Sequence, residues 1–281
     1  MEHRSTLSSI LVYAAALLLA ALVLIPIFWL FVMSVSPATD LLAKPLRWWP
    51  ATFDFSRYGQ LLTWAPNTMG QAFLAALRNS LIVAIMAVGA ALLVAVPAAW
   101  AISRNPRVEW SLYAMILTYM LPPVALAVPL YSALAWLGLL NSVFGLAAIY
   151  LSILAPFTTW LLKAGFDNIP RELEASAMMD GASLPQILRI IVLPLAAPAL
   201  STSALFALLL TWDEFFYALL FTSDQRAKTV TVAIADIAGG RVSDYGLIAA
   251  AGVLAALPPL VIGLFMQRAI VAGLTSGGVK G

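Results

Sequence analysis

Long uncharged stretches dominate the chain, and its charged residues lie in short segments between them. Positions 5–39 and 79–103 contain no charged residue. A membrane-spanning helix needs about 20 mainly apolar residues, so each of these stretches is long enough for one crossing. The 53 uncharged residues at 110–162 are more than twice that length, so they predict two crossings joined by a reversal.

This pattern predicts an all-α, polytopic membrane protein with six transmembrane helices in a single domain covering 1–281. Pro122, Pro123 and Gly138 break the longest uncharged stretch. The first stretch exceeds the roughly 7 to 15 apolar residues of a signal-peptide core, so we expect it to be an uncleaved helix. The predicted spans are 9–35, 79–102, 111–130, 142–162, 190–210 and 245–266.

The short connectors predict the orientation in the membrane. Arg104 and Arg107 lie in the connector at 103–109, whereas the connector at 131–141 has no Lys or Arg. Because short loops rich in Lys and Arg stay inside, both termini are predicted to be cytoplasmic. The outward-facing segments are then 36–78, with Trp48, Trp49 and Trp64 as an interfacial cap, and 213–244.

Composition agrees with a lipid environment and excludes several functions. The chain is 63% hydrophobic and 10% charged, against roughly 45–50% and about 25% in soluble domains. A net charge of +2 gives no basic field for nucleic acid. The chain has no Cys, one His and no G-x-x-x-x-G-K-[ST] loop, so we predict no catalytic centre, metal site or cofactor in it.

One connector, at 168–189, has the pattern of two short helices separated by a tight turn. Asp167 or Asn168 is predicted to cap the first helix, and Pro170 suits its first turn, where an N–H is not needed. Gly181 suits the left-handed residue that ends such a helix.

A second helix start and a run of small side chains complete this connector. Ser183 and Gln186 have the spacing of a capping box. The small residues at 175–177 permit close approach by another surface. The residues alone leave two interpretations open: a solvated connector, or a docking helix for a partner.

From Glu174 onward the sequence resembles the signature of the membrane subunits of binding-protein-dependent ABC importers, an E-A-A motif followed by Gly and then I-x-L-P. Gly181 and, after nine intervening residues, the I-V-L-P run at Ile191–Pro194 match that signature. Ala175 stands where the family usually has Glu, and Glu174 is one residue early.

Further stretches resemble carbohydrate importers of the maltose-permease type. They are R-W-W-P at Arg47, N-S-L-I-V-A at Asn79, L-P-P-V-A-L-A-V-P-L-Y at Leu121, G-L-L-N-S at Gly138, W-D-E-F-F-Y-A-L-L at Trp212 and the final G-L-T-S-G-G-V-K-G. The resemblance implies a subunit for uptake of a sugar or sugar derivative in the bacterial cytoplasmic (inner) membrane. It also implies a homologous permease subunit, two ATP-binding subunits that hold ATP and Mg, and a periplasmic or lipoprotein substrate-binding protein.

In that family the connector couples the spans to the ATPase subunits. The residues that would take part here are Arg171, Glu174, Ala175, Ser176, Ala177, Met178, Asp180, Gly181, Leu193, Pro194 and, in the glycine-rich tail, Gly278.

Aromatic and polar residues in or beside the spans are candidates for a sugar path, because sugars are recognised by aromatic faces and hydrogen bonds. The candidates are Tyr119, Asn141, Tyr150, Trp212, Asp213, Glu214 and Phe216. Interfacial anchoring is the alternative for the cluster that begins at Trp212, and helix packing is the alternative for Asn141 and Tyr150.

Other functions remain open from the residues themselves. A membrane-embedded enzyme, such as a lipid or glycosyl transferase, needs a charged constellation at the bilayer surface, and Asp213 with Glu214 is the dense acidic pair outside. A permease for a non-sugar solute and an uncoupled channel are further alternatives.

Overall fold

The computed structural model describes residues 6–240 and 244–276, with side chains described for 9–240 and 244–267. Within those ranges every regular element is a helix, which confirms the all-α prediction. The helices are α1 (Thr6–Val35), α2 (Ala38–Leu41), α3 (Ser56–Leu62), α4 (Met69–Arg104), α5 (Trp110–Tyr119), α6 (Pro123–Trp136), α7 (Val143–Phe166), α8 (Arg171–Met179), α9 (Leu184–Ile187), α10 (Leu193–Leu195), α11 (Ala197–Trp212), α12 (Phe216–Phe221), α13 (Val230–Ala238) and α14 (Tyr245–Ser276). A 3₁₀ turn at Pro106–Val108 precedes α5, and a π turn at Leu188–Val192 joins α9 to α10.

Four unbroken segments in the described ranges are long and apolar enough to cross a membrane, and two bent helix pairs bring the number to six. The unbroken segments are Ser9–Val35, Met69–Arg104, Val143–Phe166 and Tyr245–Gln267. The α4 helix begins ten residues before the predicted span at 79–102, because the charged Arg78, which ends the uncharged stretch, is itself helical.

The third and fifth predicted spans are broken, which corrects the expectation of single helices at 111–130 and 190–210. The chain bends by 93° between Tyr119 and Pro123, because consecutive prolines remove two amide donors from the helix. It bends by 80° between α10 and α11, where the π turn and Pro194 interrupt the regular hydrogen-bond ladder.

Residues up to 74, together with 234–256, form one compact unit. Most side chains of α1 are exposed, which suits contact with lipid. The segment after α1 folds back over its end, with the Trp48 ring 5.0 Å from that of Trp29. Arg57, 4% exposed, donates from Nε to Asp244 Oδ2 at 3.0 Å and from Nη1 to the Ser36 carbonyl at 2.6 Å.

The second compact unit contains 75–233 and the residues from 257 onward. One face of α4 packs through alanines, because Ala91, Ala95 and Ala99 are fully buried. They join two clusters with large side chains of α7: Leu154 and Tyr150 in one, Leu162 and Phe166 in the other. Small side chains therefore let these helices approach closely.

The α7 and α11 helices also pack closely, and a Cβ built on Gly165 would overlap the Ala199 Cβ. Three hydroxyl groups of this pair, those of Thr158, Thr159 and Ser203, are buried without a hydrogen-bond partner in the part of the chain that the structure describes. Each of these side chains is fully shielded from solvent.

Candidate functional site

The connector after α7 forms the two helices that its sequence predicts. Gly181 has φ of +84° and ends α8, which confirms the left-handed stop. The Ser183 N–H donates to Gln186 Oε1 at 2.8 Å, as expected of a capping box. The prediction that Asp167 or Asn168 caps α8 is wrong, because α8 begins directly after Pro170.

Asp167 ends α7 instead, and its carboxylate is held by two neighbours. It accepts hydrogen bonds from Lys163 Nζ at 2.8 Å and from Ser103 Oγ at 2.5 Å. Partial burial acts to raise the pKa of Asp167, but the hydrogen bonds from Lys163 and Ser103 outweigh it and hold the pKa below its usual range. The residue is thus occupied in fixing α7 to α4.

Glu174 is the buried residue of α8, at 4% exposure. Its Oε1 lies 2.6 Å from Arg104 Nη2 and 2.8 Å from Arg104 Nε. Its Oε2 accepts a hydrogen bond from Trp100 Nε1 at 3.2 Å. Glu174, the displaced Glu of the motif, therefore faces its own chain and does not lie on the exposed face of α8.

Arg104 joins three segments at the same end of the bundle. Beyond Glu174, its guanidinium donates to the Phe166 carbonyl at 3.1 Å and to the Ile169 carbonyl at 3.3 Å. Arg171, at the start of α8, donates to the Ser103 carbonyl at 3.0 Å. These bonds fix the angle of α8 relative to the ends of α4 and α7.

The outer face of α8 is exposed and carries small or apolar side chains. Ala175 and Ser176 are exposed, and Met179 is 88% exposed at the helix end. Met178 and Asp180 are also exposed, while Ala177 is half-buried against the core. Leu193 and Pro194 lie apart from this face in α10, and Gly278 lies outside the described residues.

A cavity of about 480 Å³ lies beside the break between α5 and α6. Of the seven candidates for a sugar path, Tyr119 lines it. Tyr217, which also lines it, belongs to the W-D-E-F-F-Y-A-L-L run that stands out in the sequence, whereas Thr118 and Ser152 carry no such signal. The full lining is Thr118, Tyr119, Leu121, Pro123, Leu126, Leu130, Ser152, Ile153 and Tyr217.

Tyr150 and Glu214 form a hydrogen-bonded pair next to that cavity. Tyr150, 2% exposed, donates its hydroxyl proton to Glu214 Oε2 at 2.6 Å. The Glu214 carboxylate also accepts the backbone N–H groups of Tyr217 at 2.9 Å and Ala218 at 3.2 Å. Glu214 thereby caps α12 and sets the position of Tyr217, which lines the cavity.

The remaining path candidates lie around α11 and α12 without lining the cavity. Asn141 Oδ1 accepts the backbone N–H of Ser223 at 3.0 Å, so it holds the loop after α12. Trp212 is 9% exposed and Asp213 is exposed at the end of α11. Phe216 packs edge-on against Tyr217 with ring centroids 5.3 Å apart.

Replacing Glu214 by glutamine is expected to destabilise the protein by about 1 to 3 kcal/mol, because the amide replaces an oxygen that accepts a buried hydrogen bond with an NH₂ group. The melting temperature of the purified protein in detergent measures the effect. Asp213→Asn is the matched control, since Asp213 is the exposed neighbouring acid. Equal melting temperatures for the two variants would contradict the capping role.

Fold and site together define a multi-pass, all-α membrane protein with a helix-turn-helix fastened to the end of its spans. A model of the binding-protein-dependent transport system inner membrane component family matches residues 87–276. The chain belongs to this family.

Relatives extend the similarity over nearly the whole length. The trehalose/maltose transport system permease protein of Thermococcus litoralis is 34% identical over 99% of both chains. The trehalose transport system permease protein of Mycobacterium tuberculosis is 34% identical over 92% of this chain and 93% of its own. The sulfoquinovosyl glycerol transport system permease protein of Agrobacterium fabrum is 33% identical, covering 96% of this chain and 93% of its own.

A solved bacterial ABC transporter for import of the acidic polysaccharide alginate contains a chain with the same fold. The TM-score is 0.75 at 24% identity, and the match covers 95% of this chain and 99% of that one. Family membership confirms the prediction of a transport subunit rather than a membrane-embedded enzyme.

Proposed function

We propose that this chain is a membrane-spanning subunit of an ATP-driven, binding-protein-dependent importer of a sugar or sugar derivative. Its relatives named for trehalose, maltose and sulfoquinovosyl glycerol support that class of solute. It would lie as a single permease domain in the bacterial cytoplasmic (inner) membrane and form the path with a homologous permease subunit. A periplasmic or lipoprotein binding protein would deliver the sugar; a solved alginate transporter of similar fold was crystallised with its periplasmic protein.

In this proposal, α8 docks on one of two ATP-binding subunits, which hold ATP and Mg. The observation that carries it is the two-sided character of α8. Its inner face is tied to the bundle by Glu174, whereas its outer face exposes Ala175, Ser176 and Met179. Exposed apolar side chains beside small ones are typical of a surface that a partner covers.

Charge supports a cytoplasmic position for this end of the bundle, and with it cytoplasmic termini. The short connector at 103–109 carries Arg104 and Arg107, whereas the short connector at 131–141 has no Lys or Arg. Positive side chains concentrate in cytoplasmic connectors.

Ser176→Trp tests the docking surface, because an indole on the outer face of α8 would prevent close approach. The transporter is expressed from its own operon and purified in detergent, and the retained ATP-binding subunit is quantified together with sugar uptake in cells. We expect retention and uptake to fall by more than about tenfold, the factor that 1.4 kcal/mol produces. Ser176→Ala, which keeps the surface small, should resemble the unchanged protein. Full retention in Ser176→Trp would overturn the assignment of this face.

A further inference from the structure

We propose that the cavity lined by Tyr119, Ser152 and Tyr217 is a sugar subsite of this chain that accepts an uncharged sugar and disfavours an anionic one. The inference rests on the proposed function. It adds where in this chain the solute binds and that the solute is uncharged. The cavity volume of about 480 Å³ lies within the roughly 300–1,000 Å³ of small-ligand sites.

The hydroxyl groups at the cavity are prepared to accept hydrogen bonds. Ser152 Oγ donates its proton to the Ile149 carbonyl at 2.6 Å, and Thr118 Oγ1 donates to the Met115 carbonyl at 2.7 Å. A hydroxyl has one proton and two lone pairs, so both oxygens can still accept from a ligand. A sugar supplies many hydroxyl donors for such acceptors.

The break between α5 and α6 adds a backbone acceptor. In a continuous helix the amide of residue 123 would donate to the Tyr119 carbonyl, but Pro123 has no N–H. The chain instead turns by 93° there. Carbonyl groups released in this way within a membrane are tolerated where they meet a cavity or another part of the protein.

Aromatic rings at the cavity are held in place by their neighbours. The Tyr119 ring stacks on Phe157 with centroids 6.3 Å apart. The Tyr217 ring stacks on Phe221 at 5.6 Å, and Glu214 fixes its backbone. Rigid rings can offer their faces to the C–H groups of a sugar with little loss of conformational entropy.

Charge decides which sugars fit. None of the cavity-lining residues is charged. The basic residues of the helices in 75–233 are Arg78, Arg104, Lys163, Arg171 and Arg189, and none of them lines the cavity. Pathways for anions use Lys or Arg rings, and an unpaired anion in a weakly polar cavity is strongly disfavoured. The Glu214 carboxylate, which accepts the backbone N–H of Tyr217, adds a negative charge beside this lining residue.

The native chain has no cysteine, so one introduced thiol reports on one position. The test uses Ser152→Cys and Thr118→Cys in the complete transporter with its partner subunits in native membranes. Leu117→Cys is the matched control: it neighbours Thr118 and is 67% exposed but does not line the cavity. Each variant is treated with an uncharged glucosyl methanethiosulfonate and with anionic methanethiosulfonate ethylsulfonate. The reaction rate of each introduced cysteine is divided by the rate of the same reagent with a small thiol in free solution.

We expect the two cavity thiols to react at least about tenfold faster with the glucosyl reagent than with the anionic one, since a difference of 1.4 kcal/mol gives that ratio. Leu117→Cys should show no such preference. Equal or faster reaction of both cavity thiols with the anionic reagent, or no reaction with either reagent, overturns the subsite. Retention of the ATP-binding subunit is measured on the same samples. If the subunit is retained but the thiols show no selectivity, the subsite alone is rejected. If the unmodified transporter does not retain the subunit, the proposed function is rejected.

Discussion

Replacing Arg104 by alanine is expected to release α8 from the bundle and abolish transport. The change leaves Glu174 buried beneath α8 without its cation. Breaking a buried ion pair by removing one partner typically costs about 3–5 kcal/mol. Arg104 also donates to the carbonyls of Phe166 and Ile169, so three segments lose their common link.

Two measurements separate lost stability from lost coupling. The melting temperature in detergent reports on the fold, and the ratio of sugar transported to ATP hydrolysed in proteoliposomes reports on α8. We expect both to fall in Arg104→Ala. Arg107→Ala, which removes an exposed arginine from the same connector, should change neither.

A double variant identifies the role of charge. Arg104→Met with Glu174→Leu removes both charges and keeps apolar bulk, so it is expected to regain stability relative to Arg104→Ala. The Trp100 N–H loses its acceptor in this variant, so recovery should be incomplete. If Arg104→Ala melts and transports like Arg107→Ala, the buried pair does not hold α8.

Replacing Gly165 by leucine is expected to separate α7 from α11 and to lower the folded yield of the protein. Even a Cβ at this position would overlap the Ala199 side chain. Forced overpacking typically costs about 1–3 kcal/mol and displaces the surrounding backbone. Folded yield and melting temperature in detergent measure the loss.

Gly89→Leu is the matched control, because a Cβ on Gly89 has no heavy atom within 4 Å. A second test uses compensation at the same contact. Ala199→Gly opens the space opposite Gly165, so it should improve the folding of Gly165→Ala even though glycine within a helix costs about 1 kcal/mol. Equal folded yields of Gly165→Leu and Gly89→Leu would contradict close packing of α7 against α11 at Gly165.

Charge spacing predicts where the spans lie but not their shape. Hydropathy reports whether a segment suits lipid, and it carries no information about the direction of the chain. Pro122 and Pro123 are predicted breakers of the uncharged stretch at 110–162, but hydropathy does not indicate the 93° bend that they produce inside the predicted span at 111–130. Broken helices of this kind keep an apolar composition and therefore look like single spans.

The local backbone features of the connector could be predicted from the sequence, but its long-range contacts could not. Gly181 and the capping box at Ser183 follow from local backbone requirements, which the sequence carries directly. The inward direction of Glu174 depends on Arg104, which is 70 positions away in the chain. Pairing of the charged ends of different spans is a tertiary property, so the motif alone does not indicate it.

The cavity was the least predictable feature. Ser152 is an isolated polar residue with no distinctive spacing, and it meets Tyr217 because α6, α7 and α12 pack around the break. Tyr119 is predicted as an aromatic residue within a span, and Pro122 and Pro123 follow it in the sequence. A polar residue close to a predicted helix break is thus a useful signal for such a lining.

The unpartnered hydroxyls of Thr158, Thr159 and Ser203 bear on how firmly α7 and α11 adhere. A buried polar group without a partner costs about 1–3 kcal/mol, so these side chains stabilise the two helices less than aliphatic ones of similar shape would. A transporter alternates between packings of nearly equal free energy. The buried hydroxyls of these two helices therefore offset part of the stability that close packing at Gly165 provides.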